Sequence, residues 1–377
     1  MPAAADRAIF FCNFPPPVTG QTVGTELVAE LLEPAFAVTR IDTSDGRLSV
    51  GRSPLDVVRR VLHLVRLRSV LRRQLESLRP EVFYFVVSSS ALGQLRDAMA
   101  VRLARRRAGR VIAHVRSGNF QDNFKRPLLG RLSSSVVRGV DRFIFLSEHL
   151  SCRAEQCVPA GKRVVVPNTI DAEIRMTDEE VAAKLARRGQ RTRLRVVFIA
   201  NMTRSKGYQD LALALAQLPD LNGLELEADF VGAWPSDGER QAFDLLLRDN
   251  GLEASVRVHG AVDDRGWIRS LLAEADVLAL PTYYPVEAQP RTIIEALNAG
   301  TPIVATRHAS IPEYVDDGVN GYLVAAHSPA EIAAAIGRLA DGAAWRQMAE
   351  AARQSYLRLF DPAAVGSRLR TVFAGGQ

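Results

Sequence analysis

The sequence predicts an α/β protein of two domains, each built on a doubly wound parallel sheet. Its 377 residues exceed the roughly 250 to 300 at which a single hydrophobic core stops growing. In both halves, short β-branched or aromatic runs alternate with longer helical patterns, which is typical of βαβ units. A polar helical stretch at 178–190 separates the halves. We therefore predict a first domain at 1–170 and a second from 171 onward, with the hinge between Pro167 and Arg193.

Six strands are predicted in each half, and each is a short apolar run between turn-forming residues. Those of the first half are Ala8–Asn13, Val38–Asp42, Val82–Val87, Val111–Val115, Arg142–Leu146 and Arg163–Val166. Those of the second half are Arg195–Ala200, Leu224–Val231, Val256–His259, Val277–Leu280, Ile303–Thr306 and Gly321–Val324. Ligands of such sheets bind outside the carboxyl ends of the strands, so chemistry is expected in the loops that follow them.

Composition excludes several classes of protein. With 47% hydrophobic and 24% charged residues, the chain is expected to fold as a soluble globular protein rather than to remain disordered. Its longest uncharged run, Ala8–Thr25, contains three prolines and Gly20, and no run reaches the roughly 18 apolar residues of a membrane-spanning helix. No secretion signal is recognised, and the three cysteines suggest free thiols in a reducing cytoplasm.

Charge is distributed unevenly between the halves. Residues 1–170 hold 26 lysines and arginines against 14 acids, whereas residues 171–377 hold 22 against 28. The halves are therefore expected to have different electrostatic roles.

The most specific motif is a pair of glutamates, Glu287 and Glu295, separated by seven residues at the start of a predicted helix. The strand and loop at 275–285 precede it, and Gly300-Thr-Pro302 ends the helix before the next strand. This order resembles the retaining glycosyltransferases of family four, which have the GT-B fold of two Rossmann-like domains facing a central cleft. The resemblance implies an acceptor-binding first domain and a nucleotide-sugar domain at 171–357, with a last helix at about 358–377 crossing back.

The resemblance also assigns roles around the two glutamates. Glu287 would be catalytic and contact the donor-sugar hydroxyls, and Glu295 would accept hydrogen bonds from the ribose. The diphosphate would lie at the helix N-terminus, which suits an anion, beside Gln289, Pro290, Arg291 and Thr292. Ala288 stands where the family more often has glycine, which narrows the loop.

A second phosphate element follows the strand at 195–200. Lys206-Gly207 resembles the lysine of the family's Gly-Arg…Lys-Gly element, and a lysine there would neutralise the leaving nucleoside diphosphate. Asn201 occupies the arginine position of that element, so Arg204 and Arg291 are candidates for the second cation. The segment lacks the Gly-x4-Gly-Lys-Ser/Thr frame of a P-loop.

Three further loops carry candidate residues. Gly20 resembles the family's glycine after the first strand, near the donor diphosphate. Arg116 occupies the position of a histidine that many members place by the transferred sugar, and His114 is either a remnant of that site or a core residue at a strand end. The loop with Val262 resembles the one that holds the nucleotide base.

The chain has no Asp-x-Asp metal clamp, so we expect a metal-independent reaction with no cofactor. The predicted helix Ser53–Leu78 has apolar positions at Leu55, Val58, Leu62, Val65 and Leu75. Its polar side carries Arg59, Arg60, Arg66, Arg72 and Arg73. Such a helix is typical of binding to an anionic membrane surface, the alternative being a helix packed on its own sheet with a solvated basic face. Nucleic acid is not expected, because aromatic residues are not interleaved with the arginines.

These observations predict a cytoplasmic enzyme, with peripheral binding to the inner face of the plasma membrane, that moves a hexose with retention from a UDP- or GDP-sugar to a glycan or lipid-linked acceptor. The alternatives are a nucleotide-sugar 2-epimerase of the same fold and a non-catalytic sugar-nucleotide binder. The sugar, the base, the acceptor, the linkage and the oligomeric state are left open by the sequence.

Overall fold

The computed structural model describes residues 6–16, 19–44, 54–187, 192–218 and 221–376. The chain forms two compact units, unit 1 of Met1–Asn168 with Pro362–Gln377 and unit 2 of Thr169–Asp361. The sequence predicts the division at 170 and the start of the returning segment at about 358. Ser53, the side chain of Leu55 and residues 188–190 lie outside the described part of the chain.

Unit 1 contains a six-stranded sheet whose pairs are all parallel, in the order β2-β1-β3-β4-β5-β6. Its strands are β1 (Asp6–Cys12), β2 (Phe36–Asp42), β3 (Val82–Val86), β4 (Arg110–Val115), β5 (Arg142–Phe145) and β6 (Arg163–Val165). The helices between them are α1 (Gly20–Leu32), α2 (Pro54–Leu78), α3 (Ala91–Ala104), α4 (Pro127–Gly139) and α5 (Glu148–Arg153). A 3₁₀ turn at Phe120–Phe124 follows β4.

Unit 2 repeats this plan with the strand order β12-β11-β10-β7-β8-β9, again parallel. Its strands are β7 (Arg193–Ile199), β8 (Glu225–Val231), β9 (Val256–Gly260), β10 (Val277–Leu280), β11 (Ile303–Thr306) and β12 (Gly321–Val324). Its helices are α6 (Asp178–Arg187), α7 (Tyr208–Leu215), α8 (Asp237–Asp249), α9 (Arg265–Glu274), α10 (Arg291–Asn298), α11 (Pro329–Arg338) and α12 (Gly342–Leu359).

The last helix, α13 (Pro362–Ala374), belongs to unit 1. Its Phe373 ring lies 6.0 Å from Phe10 on β1 and 5.6 Å from Tyr84 on β3. Aromatic burial of this kind gives unit 1 a core that includes the end of the chain.

All twelve predicted strands are confirmed, with bounds that differ by at most two residues. The agreement follows from chemistry, since a strand of a parallel sheet is covered on both faces and reads as a continuous apolar run. In β10 and β11, for example, every residue is buried.

Two buried cations hold the carboxyl end of α10. Lys184 on α6 is fully buried, and its Nζ donates to the Leu272 carbonyl at 2.8 Å, the Ala299 carbonyl at 3.0 Å and Thr301 Oγ1 at 2.6 Å. Arg353 on α12 donates to the Asn298 carbonyl at 2.7 Å. Cations at a helix C-terminus oppose its partial negative charge, so these contacts stabilise α10, the helix that follows the loop carrying Glu287.

Candidate active site

The candidate site lies where the winding of the unit 2 sheet reverses. Strands β7 and β10 are neighbours, although β8 and β9 come between them in the chain, and ligands of doubly wound sheets bind at this switch point. The loop after β7 carries Lys206, and the loop after β10 carries Glu287. Lys206 Nζ donates to Glu287 Oε2 at 2.6 Å, so the topology brings together two residues that are 81 positions apart.

Glu287 is held in a defined position. Its side chain is 8% exposed, and Thr282 Oγ1 lies 3.2 Å from the oxygen that Lys206 binds. Lys206 Nζ also lies 4.8 Å from the centre of the Tyr284 ring, a cation–π contact. An ammonium has three N–H donors, and in the described contacts one of them is used by Glu287.

Gly207 sets the turn that presents Lys206. It adopts the left-handed conformation with φ of 81°, which glycine enters without steric cost. A Cβ atom there would also overlap the Pro281 carbonyl. The close approach of the two loops therefore requires glycine at position 207.

Glu295 is the buried centre of a partly buried network of two arginines and two carboxylates. Its side chain is 2% exposed, and Oε1 accepts a hydrogen bond from Arg265 Nη2 at 2.6 Å and lies 4.0 Å from Arg291 Nε. Asp171 Oδ2 lies 2.9 Å from Arg265 Nη2 and 3.4 Å from Arg291 Nη2. The other carboxylate oxygen of Glu295, Oε2, is buried and has no hydrogen-bond partner.

Burial opposes the charge of Arg265, but the carboxylates of Glu295 and Asp171 outweigh it, so the pKa of Arg265 is raised. The two arginines balance the two carboxylates. A buried carboxylate with one unpaired oxygen is costly, and a donor supplied by a ligand would satisfy it.

The remaining residues predicted for the donor surround these two centres. Gln289 and Pro290 are buried at the start of α10, and Arg291 and Thr292 are partly buried. Pro290 is the N-cap residue of α10 and gives no side-chain cap, which leaves the first turn suited to an anion. Val262 packs at the edge of the unit 2 core.

Asn201, which stands at the position of the family arginine, is exposed and carries no charge. Arg204 is 66% exposed and lies 3.6 Å from Glu239, while Arg291 lies against Asp171 and Glu295. The proposed substitutes for the family arginine are thus each beside a carboxylate.

In unit 1, Arg116 at the end of β4 is tied to the first turns of α1. Its Nη2 donates to the Gly24 carbonyl at 2.8 Å, and a Cβ at Gly24 would overlap Nη1. Arg116 Nε is buried with no hydrogen-bond partner. Gly20 is the first residue of α1, and the Thr19 side chain caps this helix.

His114 is 2% exposed, and its Nδ1 lies 2.7 Å from the Tyr84 hydroxyl. Burial, and then the Arg116 charge, hold its pKa well below the usual range. These surroundings favour the core-histidine alternative, and a catalytic role for His114 stays a prediction.

Sequence reasoning missed Arg265 and Asp171. Arg265 is 30 positions from Glu295 and 94 from Asp171, so no local motif joins them. The one local signal is that Arg265 follows Asp264, whose side chain caps α9.

The described residues offer neither a metal cluster nor a membrane span. No three His, Cys, Asp or Glu side chains among them group as metal ligands. None of the described helices is both long and apolar enough to cross a membrane.

Comparison with solved structures defines the class of fold. HepE of Anabaena, crystallised with UDP, matches with a TM-score of 0.75 and 20% identity over 98% of this chain and 99% of its own. Sucrose-phosphate synthase of Thermosynechococcus elongatus matches with a TM-score of 0.76 and 18% identity over 98% of each chain. The predicted GT-B fold of two Rossmann-like domains is confirmed.

The sequence comparisons give the family. Residues 193–342 match the model of the glycosyl transferases group 1. D-inositol 3-phosphate glycosyltransferase of Corynebacterium kroppenstedtii is 34% identical over 152 residues, which are 39% of this chain and 32% of that protein. The match therefore spans about a third of this curated relative. The predicted resemblance to the group 1 glycosyltransferases is confirmed by the match over residues 193–342.

Proposed function

We propose that the protein is a retaining glycosyltransferase that moves a hexose from a nucleotide sugar, UDP- or GDP-linked, to a glycan or lipid-linked acceptor. The observation that carries the proposal is the Lys206–Glu287 contact of 2.6 Å at the switch point of unit 2. It unites the residue expected at the diphosphate with the residue expected at the sugar. A nucleotide-sugar donor is supported by the group 1 domain in unit 2 and by the similarity to HepE, which was crystallised in complex with UDP.

Transfer breaks the bond from the anomeric carbon to the diphosphate oxygen and forms a bond to an acceptor oxygen, whose proton would pass to the departing diphosphate. Negative charge grows on the departing diphosphate. The Lys206 ammonium and the N-terminus of α10 would stabilise that charge without a metal, and Glu287 would bind the sugar hydroxyls. Arg116, anchored on Gly24, is the cation of unit 1 proposed to act near the transferred sugar.

The acceptor is proposed to bind unit 1. The exposed surface of α2 supports the proposal that this acceptor is bound to a membrane. Four apolar residues of this helix, Val58, Val61, Leu62 and Val65, are 55%, 51%, 62% and 54% exposed. Their i, i+3, i+4, i+7 spacing places them in one row, which we call the apolar row of α2. The opposite face, with Leu67, Leu71 and Leu75, is buried.

Exposed arginines border the apolar row. Arg59, Arg66 and Arg73 recur every seven residues on one side of the row, and Arg72, seven residues beyond Val65, continues the row itself and is 57% exposed beside Glu76. Arg60 is less exposed. Apolar residues flanked by arginines match the interface of an anionic bilayer. We therefore propose a cytoplasmic protein that docks peripherally on a membrane through α2.

A donor screen tests the proposed function. We expect thermal stabilisation by one class among UDP-, GDP- and ADP-sugars, since a ligand at 100 times its dissociation constant stabilises by roughly 2.7 kcal/mol. The stabilising donor is then incubated with and without polyprenyl-linked saccharides. Isomerisation of the sugar without acceptor would identify a 2-epimerase, and binding without any turnover would identify a silent binder. The curated relative, named as a glycosyltransferase, favours transfer.

A further inference from the structure

Arg265 is a basic residue for which the proposed reaction gives no role. It begins α9, where the family resemblance offers no functional residue. Its side chain is 24% exposed and reaches Glu295 and Asp171 through one nitrogen, Nη2, at 2.6 and 2.9 Å.

The two carboxylate oxygens of Glu295 therefore have different surroundings. Oε1 is taken by Arg265, whereas Oε2 is buried and has no hydrogen-bond partner. Because a planar carboxylate held at one oxygen by a fixed guanidinium cannot rotate freely, the direction of Oε2 is set by Arg265. Asp171 steadies Arg265 in turn, and its other oxygen accepts the backbone N–H of Ile174 at 3.1 Å.

We infer that Arg265 is a positioning residue that aims Glu295 Oε2 at the ribose of the donor, so that this pair decides between ribonucleotides and deoxyribonucleotides. The inference rests on the proposed function, because it needs a nucleotide at this site. A ribose hydroxyl donates to Oε2, and a deoxyribose leaves it buried and unpaired. A site built to accept a hydroxyl proton rejects the analogue that lacks the hydroxyl.

The experiment measures binding rather than turnover. Dissociation constants are determined by calorimetry for UDP and GDP and for their 2′-deoxy and 3′-deoxy forms, with wild type, Arg265→Gln, Arg265→Lys and Glu295→Gln. In wild type we expect one deoxy form to bind roughly 10- to 100-fold more weakly, the scale of one hydrogen bond to a charged group. In Arg265→Gln and Glu295→Gln the ribonucleotide should lose that advantage, while the deoxy form keeps its affinity. Arg265→Lys, which keeps the charge, should restore part of the ratio.

Arg269→Gln is the matched control. Arg269 lies one turn further along α9 and contacts Glu180 and the Arg175 carbonyl, away from Glu295. Its ratio of affinities should equal that of wild type.

Two outcomes in Arg265→Gln would overturn the role of Arg265 but leave the proposed donor site standing. One is a ratio of ribonucleotide to deoxyribonucleotide affinity equal to that of wild type. The other is an equal loss of affinity for both nucleotides, which indicates a structural role. Wild-type protein that binds no nucleoside diphosphate would overturn the proposed donor site and the role of Arg265 with it.

Discussion

Lys206 is the residue on which the proposed chemistry depends most directly. Replacing it by alanine should lower kcat roughly 10²- to 10³-fold, the scale for losing one preorganised donor. Glu287 would then be left buried with Thr282 as its remaining described partner, so the free energy of unfolding should fall by about 1 to 3 kcal/mol. Steady-state kinetics measured well below the unfolding temperature of the variant separate the loss of kcat from the loss of stability.

Lys125→Ala is the control for this change. Lys125 is 74% exposed in unit 1 and lies beside Asp122, so kcat and stability should match wild type. Wild-type kcat in Lys206→Ala would remove Lys206 from the phosphate site.

For single residues, the sequence predicts which side chains belong to the candidate site better than it predicts which side chains they contact. Glu287, Glu295 and Lys206 could be recognised because each belongs to a local motif that resembles a family pattern. The hydrogen bond from Lys206 to Glu287 spans 81 positions, and it depends on β7 pairing with β10. Arg265 could not be found at all, because its partners lie on other elements.

At the scale of elements, α2 offers a test of membrane docking. Replacing Arg59, Arg66 and Arg73 by Gln should weaken binding to anionic liposomes by roughly two orders of magnitude, since each exposed arginine near the surface contributes about 1 kcal/mol. Binding of the wild type should fall as salt rises, because the attraction is screened within roughly 8 Å at physiological ionic strength. Liposome sedimentation measures both effects.

The apolar row is tested separately. Val61→Ser with Val65→Ser should weaken binding at low and high salt alike, because apolar burial does not depend on charge screening. Leu245→Ser is the control, since Leu245 is 53% exposed on α8 of unit 2 and lies outside the row. Equal binding of wild type and both α2 variants would leave the helix as a solvated basic face.

Helices and strands could be predicted where their buried faces impose a pattern of apolar residues on the sequence. The strands of both sheets were found, and the predicted helix at 53–78 is observed as α2. Periodicity could not tell which apolar residues of α2 face solvent. Leu67, Leu71 and Leu75 are buried, whereas Val58 and Leu62 are exposed, and this choice depends on what the rest of unit 1 covers.

At the scale of the whole molecule, the proposed mechanism needs no divalent cation. Activity should persist in EDTA, because Lys206 and the N-terminus of α10 would meet the charge of the leaving diphosphate. Initial rates with and without chelator, and after adding magnesium or manganese, check this. Loss of activity that either metal restores would refute the mechanism.

The class of fold followed from the alternation of strands and helices, but the order of strands in each sheet did not. The order of the strands leaves no mark in their sequences, since a buried strand of a parallel sheet is apolar on both faces whichever strands it pairs with. The position of the candidate site beside β7 and β10 therefore becomes visible only once the sheet is assembled.

The complete burial of Lys184 has a consequence for chemical labelling. The chain has four lysines, at 125, 162, 184 and 206, so amine acylation followed by mass spectrometry gives a short and readable pattern. Lys125 should react at once. Lys184, enclosed by three acceptors, should react only when unit 2 unfolds, and Lys206 should react slowly and be shielded by a bound nucleotide. The protein thus contains its own reporters of unfolding and of donor binding, and neither requires the acceptor to be known.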